Sequence, residues 1–261
     1  VNDLLKYTNN HIVLDLVETW PQNLVNLMYS NKEVISLYLK EEERVEFLGR
    51  VDIEIRRSPP ENPYKRPYFE ILHHIDTMII NHTFIGIHGS RLIQEEINNI
   101  ITEGLKPLSQ DLVYQKLLML RGKKLLDEDA VNLIFSKSQY TCINRVGSVS
   151  MNHCSSRLKE GSGFCKLFYS WGGEAIYQAQ NAEIKQILHN IGTPCISICV
   201  VNAVEMKEVS EKIAKIWYLL QNGYSLSSNC DIDNRIKRKV DVLAVISRDN
   251  KDFDCLTQYS E

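Results

Sequence analysis

The stretch FIGIHGSRLIQEEINNIITEGLKPLS, Phe84–Ser109, decides how this chain is read. Its opening residues are aromatic and β-branched over a short length, which predicts a strand. Beyond it, Ile93, Ile97, Ile100 and Ile101 follow helical spacing as far as Gly104, a glycine suited to a helix C-cap. The polar run His88-Gly89-Ser90-Arg91 lies at the handover, and the strand is expected to end there. Such an end exposes backbone N–H groups and an imidazole at a sheet edge. Gly89 lacks the side chain that would keep a ligand off the backbone. The plainer reading is a satisfied histidine followed by a glycine turn.

Upstream, the first fifty residues carry apolar positions at three- and four-residue spacing, broken at Pro21 and Asn31, and predict helices. RRSPPENPYKRPY then packs four prolines among charges, an exposed connector around 56–67. The chain therefore divides on sequence into a helical N-terminal region with its connector, 1–67, and a second domain, 68–261. Downstream, DLVYQKLLMLRGKKLLDEDAVNLIFSKSQ predicts one or two helices. YTCINRVGSVSM and GFCKLFYSW predict strands, the second entered through Gly161 and Gly163. EAIYQAQNAEIKQILHNI predicts one helix ended by Gly192 and Pro194. PCISICVVNA predicts a buried strand, KEVSEKIAKIWYLLQ a helix and KVDVLAVIS a last strand. The pattern is α+β.

At 261 residues and 44% hydrophobic content the chain can bury a sizeable core. Its net charge of -3 points to no particular class of partner. The basic run NRIKRK, 234–239, reads first as a solvated loop and second as a phosphate contact. Seven cysteines without a CxxC pair suggest reduced thiols and a cytoplasmic setting. No apolar run approaches the roughly 20 residues of a membrane span. The glycines match neither a GxGxxG nor a GxxxxGK loop, no Gly-x-Ser-x-Gly turn supports a hydrolase triad, and no Cys/His spacing suggests a metal.

A second constellation is LFYSWGGEAIY, 167–177. Its Gly-Gly turn delivers Glu174 to the first turn of a helix, where the helix dipole stabilises an anion. Tyr169 and Trp171 offer flat faces for a base or a nicotinamide ring. The alternative is an ordinary helix-start charge beside core aromatics.

Together the two constellations resemble the ADP-ribosyltransferase-like superfamily, over about residues 70–250. IHGSRL with its following helix and GL turn is similar to that family's first motif, and YSWGGEAIY to its aromatic-rich second strand and helix. The resemblance implies a split β-sheet core gripping NAD, which serves as substrate. It implies that His88 and the backbone around Gly89 hold the nicotinamide ribose and amide, with Ser90 and Arg91 beside them and Tyr169 stacking, Trp171 being the second aromatic. The family's catalytic glutamate usually lies on a late strand. There the sequence offers only Glu205, so Glu174 is the first candidate and Glu205 the second.

The implied activity is transfer of ADP-ribose from NAD to a macromolecule, protein or nucleic acid, in a bacterial toxin or antiphage effector. An antitoxin protein is a further implied partner. The alternatives are an NAD glycohydrolase and a catalytically inactive partner-binding module of the same fold.

Overall fold

The computed structural model describes residues 3–159, 164–226 and 233–257. In chain order the helices and strands are α1 (Gln22–Ser30), α2 (Lys32–Val51), α3 (Ile53–Arg57), α4 (Lys65–Ile79), β1 (Thr83–Leu92), α5 (Gln94–Glu103), α6 (Gln110–Gly122) and α7 (Glu128–Lys137). They continue with β2 (Val149–Asn152), α8 (Glu174–Tyr177), α9 (Ala182–His189), β3 (Thr193–Asn202), α10 (Val209–Gln221), β4 (Asp233–Ile236), β5 (Asp241–Ser247) and α11 (Lys251–Leu256). The α+β class is observed. No described helix is long and apolar enough to cross a membrane.

Two compact units share the chain, and neither is continuous in sequence. One comprises Ile12–Thr83 with Asn202–Asp231, and the other Val1–His11, Phe84–Val201 and Ile232–Glu261. The expected division at 67/68 falls within α4, because Pro67 occupies that helix's first turn, where its missing N–H costs no intrahelical bond. Each unit is completed by a segment distant in sequence.

The first unit is helical. Tyr38 of α2 stacks on Tyr68 of α4 with ring centroids 3.8 Å apart, and Tyr29 of α1 meets Trp217 of α10 edge-on at 4.5 Å. The proline connector is anchored: buried Asn62 donates to the Tyr38 carbonyl at 3.0 Å and to Glu42 at 2.8 Å. The connector is therefore not wholly exposed.

The second unit holds the sheet, ordered β4-β2-β1-β3-β5. Pairing is antiparallel between β1 and β2 (Ile87 opposite Asn152), β2 and β4, and β3 and β5. The described strands form one sheet rather than two separate halves. Its edges β4 and β5 are nonetheless consecutive in the chain, joined by 237–240 alone. Five residue steps reach about 18 Å at most, whereas four flat strand spacings need about 19 Å. The sheet must curl for that link to close.

Several elements differ from the sequence expectation. β1 does not stop at the polar run but continues to Leu92, so His88, Gly89, Ser90 and Arg91 are strand residues. Phe164–Phe168 is a 3-10 helix, not a strand. With three residues per turn, Phe164 and Leu167 face the same way, and both lie against the space where Gly89 would carry a Cβ. Gly161 and Gly163 lie outside the described residues. The helix expected over 174–191 is broken into α8 and α9, because the Asn181 side chain accepts from the Ile184 N–H and starts a new helix. The run 234–239 is a loop only in part, since β4 pairs Arg235 with Ser150 and Ile236 with Val149.

Candidate functional site

A cavity of about 370 Å³ opens in the second unit. Residues of β1, α5, the α5–α6 connection, α6, the turn into β2, and the Gly172–Gly173 turn that starts α8 line it. His88 and Glu174 are both among its walls, although they come from segments far apart in sequence. Ser90, Glu96, Lys106, Lys116 and Arg145 add further polar lining.

His88 and Ser90 point to the same side of β1 because side chains alternate along a strand. The imidazole Nδ1 is 2.9 Å from the Ser150 carbonyl oxygen. A carbonyl can only accept, so Nδ1 carries the proton and Nε2 keeps a lone pair for a ligand. Burial, followed by the Lys116 charge, pulls the His88 pKa below its usual 6.5 against the opposing Ser150 bond. Two residues on, the Ser90 hydroxyl is buried with no hydrogen-bond partner among the described residues. An acceptor and an unsatisfied hydroxyl thus sit side by side on the cavity wall.

The lowered histidine pKa has a measurable consequence. Between its folded value and 6.5 the unfolded chain binds more protons. His88 therefore contributes stability that is fully present above 6.5 and is lost as pH falls through that window. The denaturant midpoint is expected to fall between pH 7 and pH 5 more steeply in the wild type than in His88→Gln. Equal slopes in the two proteins would show that His88 titrates as it does in the unfolded chain.

Glu174 follows Gly173, whose φ of 64° is a conformation glycine tolerates. Its carboxylate accepts from Arg145 Nη2 at 2.8 Å, and the same guanidinium donates to Gln139 at 3.3 Å and Gln178 at 3.1 Å. α8 is only four residues long, so Arg145 rather than a helix dipole is the main counter-charge. Arg145 is thereby committed to holding Glu174 in place.

Other expected roles change. Gly89 does not leave its backbone open: a Cβ there would lie 2.7 Å from Phe164, which fills the space a ligand would use. Arg91 donates Nε to the Ile191 carbonyl at 3.0 Å and Nη1 to the Phe168 carbonyl at 3.1 Å, tying the loop after α9 to the end of the 3-10 helix from a buried position. Its guanidinium is a structural tie. Trp171 is fully buried in the core with Leu117, Ile134, Ile176 and Leu188, and is not a cavity wall. Tyr169 is 44% exposed and does not line the cavity either. Glu205 accepts from the Asn202 N–H at 3.1 Å and from its side-chain amide at 3.0 Å, capping its own turn.

Glu96 and Lys116 escaped the sequence reading. Glu96 is 4% exposed and accepts from the Trp171 indole at 2.6 Å and from the Ile93 N–H at 3.1 Å. Lys116 Nζ lies 2.8 Å from its other oxygen, an ion pair by distance although off the ideal hydrogen-bond line, and 5.8 Å from the Trp171 ring centroid. The buried carboxylate thus holds one cation at the cavity wall. The available signal was a glutamate in the first turn of α5, which reads equally well as an ordinary helix-start residue.

Cys142, Cys195, Cys199 and Cys255 carry free thiols. Cys230 lies outside the described residues. Comparison with protein-family models, with curated proteins and with solved structures gives no match.

Proposed function

We propose that this protein is an NAD-dependent ADP-ribosyltransferase whose reaction takes place in the His88–Glu174 cavity. The observation that carries the reading is the convergence of these two residues on one cavity, with Lys116 held at its wall. The single five-stranded sheet with β1 at its centre supports the α+β class of this reading.

In the reaction, the bond between nicotinamide nitrogen and ribose breaks and its electron pair leaves with nicotinamide. An oxygen or nitrogen of the acceptor then bonds to the same ribose carbon and releases its proton to water. Positive charge builds on the sugar meanwhile. Glu174, oriented by Arg145, supplies the preorganised negative charge that stabilises it. His88 Nε2 accepts from a ribose hydroxyl, and the Ser90 hydroxyl satisfies its missing bond on the same ligand. Lys116 attracts the pyrophosphate. Stacking by Tyr169 or Trp171 has no part in this scheme, since neither lines the cavity.

A second reading, ligand binding without turnover, draws support from the Arg145–Glu174 ion pair, which already neutralises the carboxylate. Incubation with NAD labelled in its adenylate phosphate, together with cellular protein and nucleic acid, separates the readings. Nicotinamide release with label in a macromolecular fraction is expected. Label found only in free ADP-ribose would make the protein a glycohydrolase, and absence of nicotinamide release would overturn the enzyme reading.

A further inference from the structure

One rim of the cavity is basic although the chain as a whole is acidic by three charges. Residues 234–239 contain Arg235, Lys237, Arg238 and Lys239 and no acid. Arg235, Lys237 and Lys239 are exposed at alternate positions. Two ties hold this segment at the cavity. On one side, Arg235 is the antiparallel partner of Ser150, a cavity residue whose carbonyl holds His88. On the other, Val240 exchanges backbone hydrogen bonds of 2.9 Å with Leu105, also a cavity residue.

The second tie is tight. Gly104, at φ 82°, would bring a Cβ to 2.5 Å from the Val240 oxygen and 3.6 Å from Lys239 Cγ, so this close approach requires glycine. Lys106 joins the rim from the same connection, paired with Glu103. The Lys239 charge also acts on Glu103 and helps to hold its carboxyl below the ordinary value, after Lys106.

We propose that this rim, through Arg235, Lys237, Lys239 and Lys106, binds the phosphate backbone of single-stranded nucleic acid and presents it to the cavity as the acceptor. The acceptor role rests on the transferase reading; the binding does not. A row of exposed cations fits a partner that carries one negative charge per unit regardless of sequence. A protein surface would have to supply carboxylates at matching intervals. Lys106 lines the cavity and the Lys239 Cγ lies beside Gly104 of its wall, so a strand bound there could reach the ribose carbon.

The test uses fluorescently labelled 20-nucleotide single-stranded RNA and DNA, without NAD, in anisotropy titrations from about 50 to 200 mM salt. Four phosphate contacts predict a log–log salt slope of roughly −3. Arg235→Glu with Lys237→Glu and Lys239→Glu should weaken binding more than tenfold and flatten that slope. A glutamine version at the same three positions should fall between. Both variants should melt at the wild-type temperature, since the replaced side chains are exposed. No binding at the lowest salt, or equal binding by the charge-reversed protein, would overturn the proposal. So would transfer of label to protein at a rate the variants leave unchanged. If nicotinamide is never released yet binding depends on the rim, the enzyme reading fails and the nucleic-acid surface stands.

Discussion

Glu174→Gln is expected to lower nicotinamide release by about 10²–10³-fold while leaving NAD affinity nearly unchanged. Glutamine retains the shape and one carbonyl acceptor, so Arg145 can still donate to position 174 and Gln178 remains a partner at 3.1 Å. The negative charge alone is removed. Because that charge is needed most when the sugar becomes cationic, ground-state binding and turnover should separate. Calorimetric NAD titration beside a nicotinamide-release assay measures both. His88→Ala removes a ligand acceptor and should weaken binding as well as turnover. A deficit below about tenfold in Glu174→Gln would move the catalytic carboxylate elsewhere or remove catalysis from the cavity.

Trp171→Ala is expected to cost about 3–5 kcal/mol of folding stability, the range for emptying a large aromatic from a core. Trp171 has no exposed surface and packs among Leu117, Ile134, Ile176 and Leu188. Its indole also satisfies the buried Glu96 carboxylate at 2.6 Å, so truncation leaves a charged group short of a partner. Trp171→Phe keeps most of the volume and loses only that donor, and should cost about 1–3 kcal/mol. Tyr169→Ala, on the surface, should fall within about 0.5 kcal/mol of the wild type. Urea unfolding of the three variants provides the comparison. If Trp171→Ala unfolds within about 1 kcal/mol of the wild type, the indole is not a core element and its role as a ligand face returns.

The rim and the cavity meet through contacts that pattern reading cannot supply. Arg235 gains its place from pairing with Ser150, and Lys116 from an ion pair to Glu96 across two helices. Both signals look ordinary in a linear chain. A basic run usually means a solvated loop, and a first-turn glutamate a helix start.

By itself, the sequence determined the α+β class, β1 followed by α5 and its Gly104 cap, the buried β3, and the candidate pair His88 and Glu174. These rest on local causes: side-chain period, β-branching, and glycine at positive φ. The tertiary structure decided the rest. It drew Phe164 over Gly89, turned Arg91 onto two carbonyls, buried Trp171, and gave Glu174 an arginine in place of a helix dipole. It also made each compact unit from segments distant in the chain. Periodicity reports which side of an element is apolar, but not which distant residue will cover it. A motif's residues can therefore be legible while the use of each is settled only by its neighbours in space.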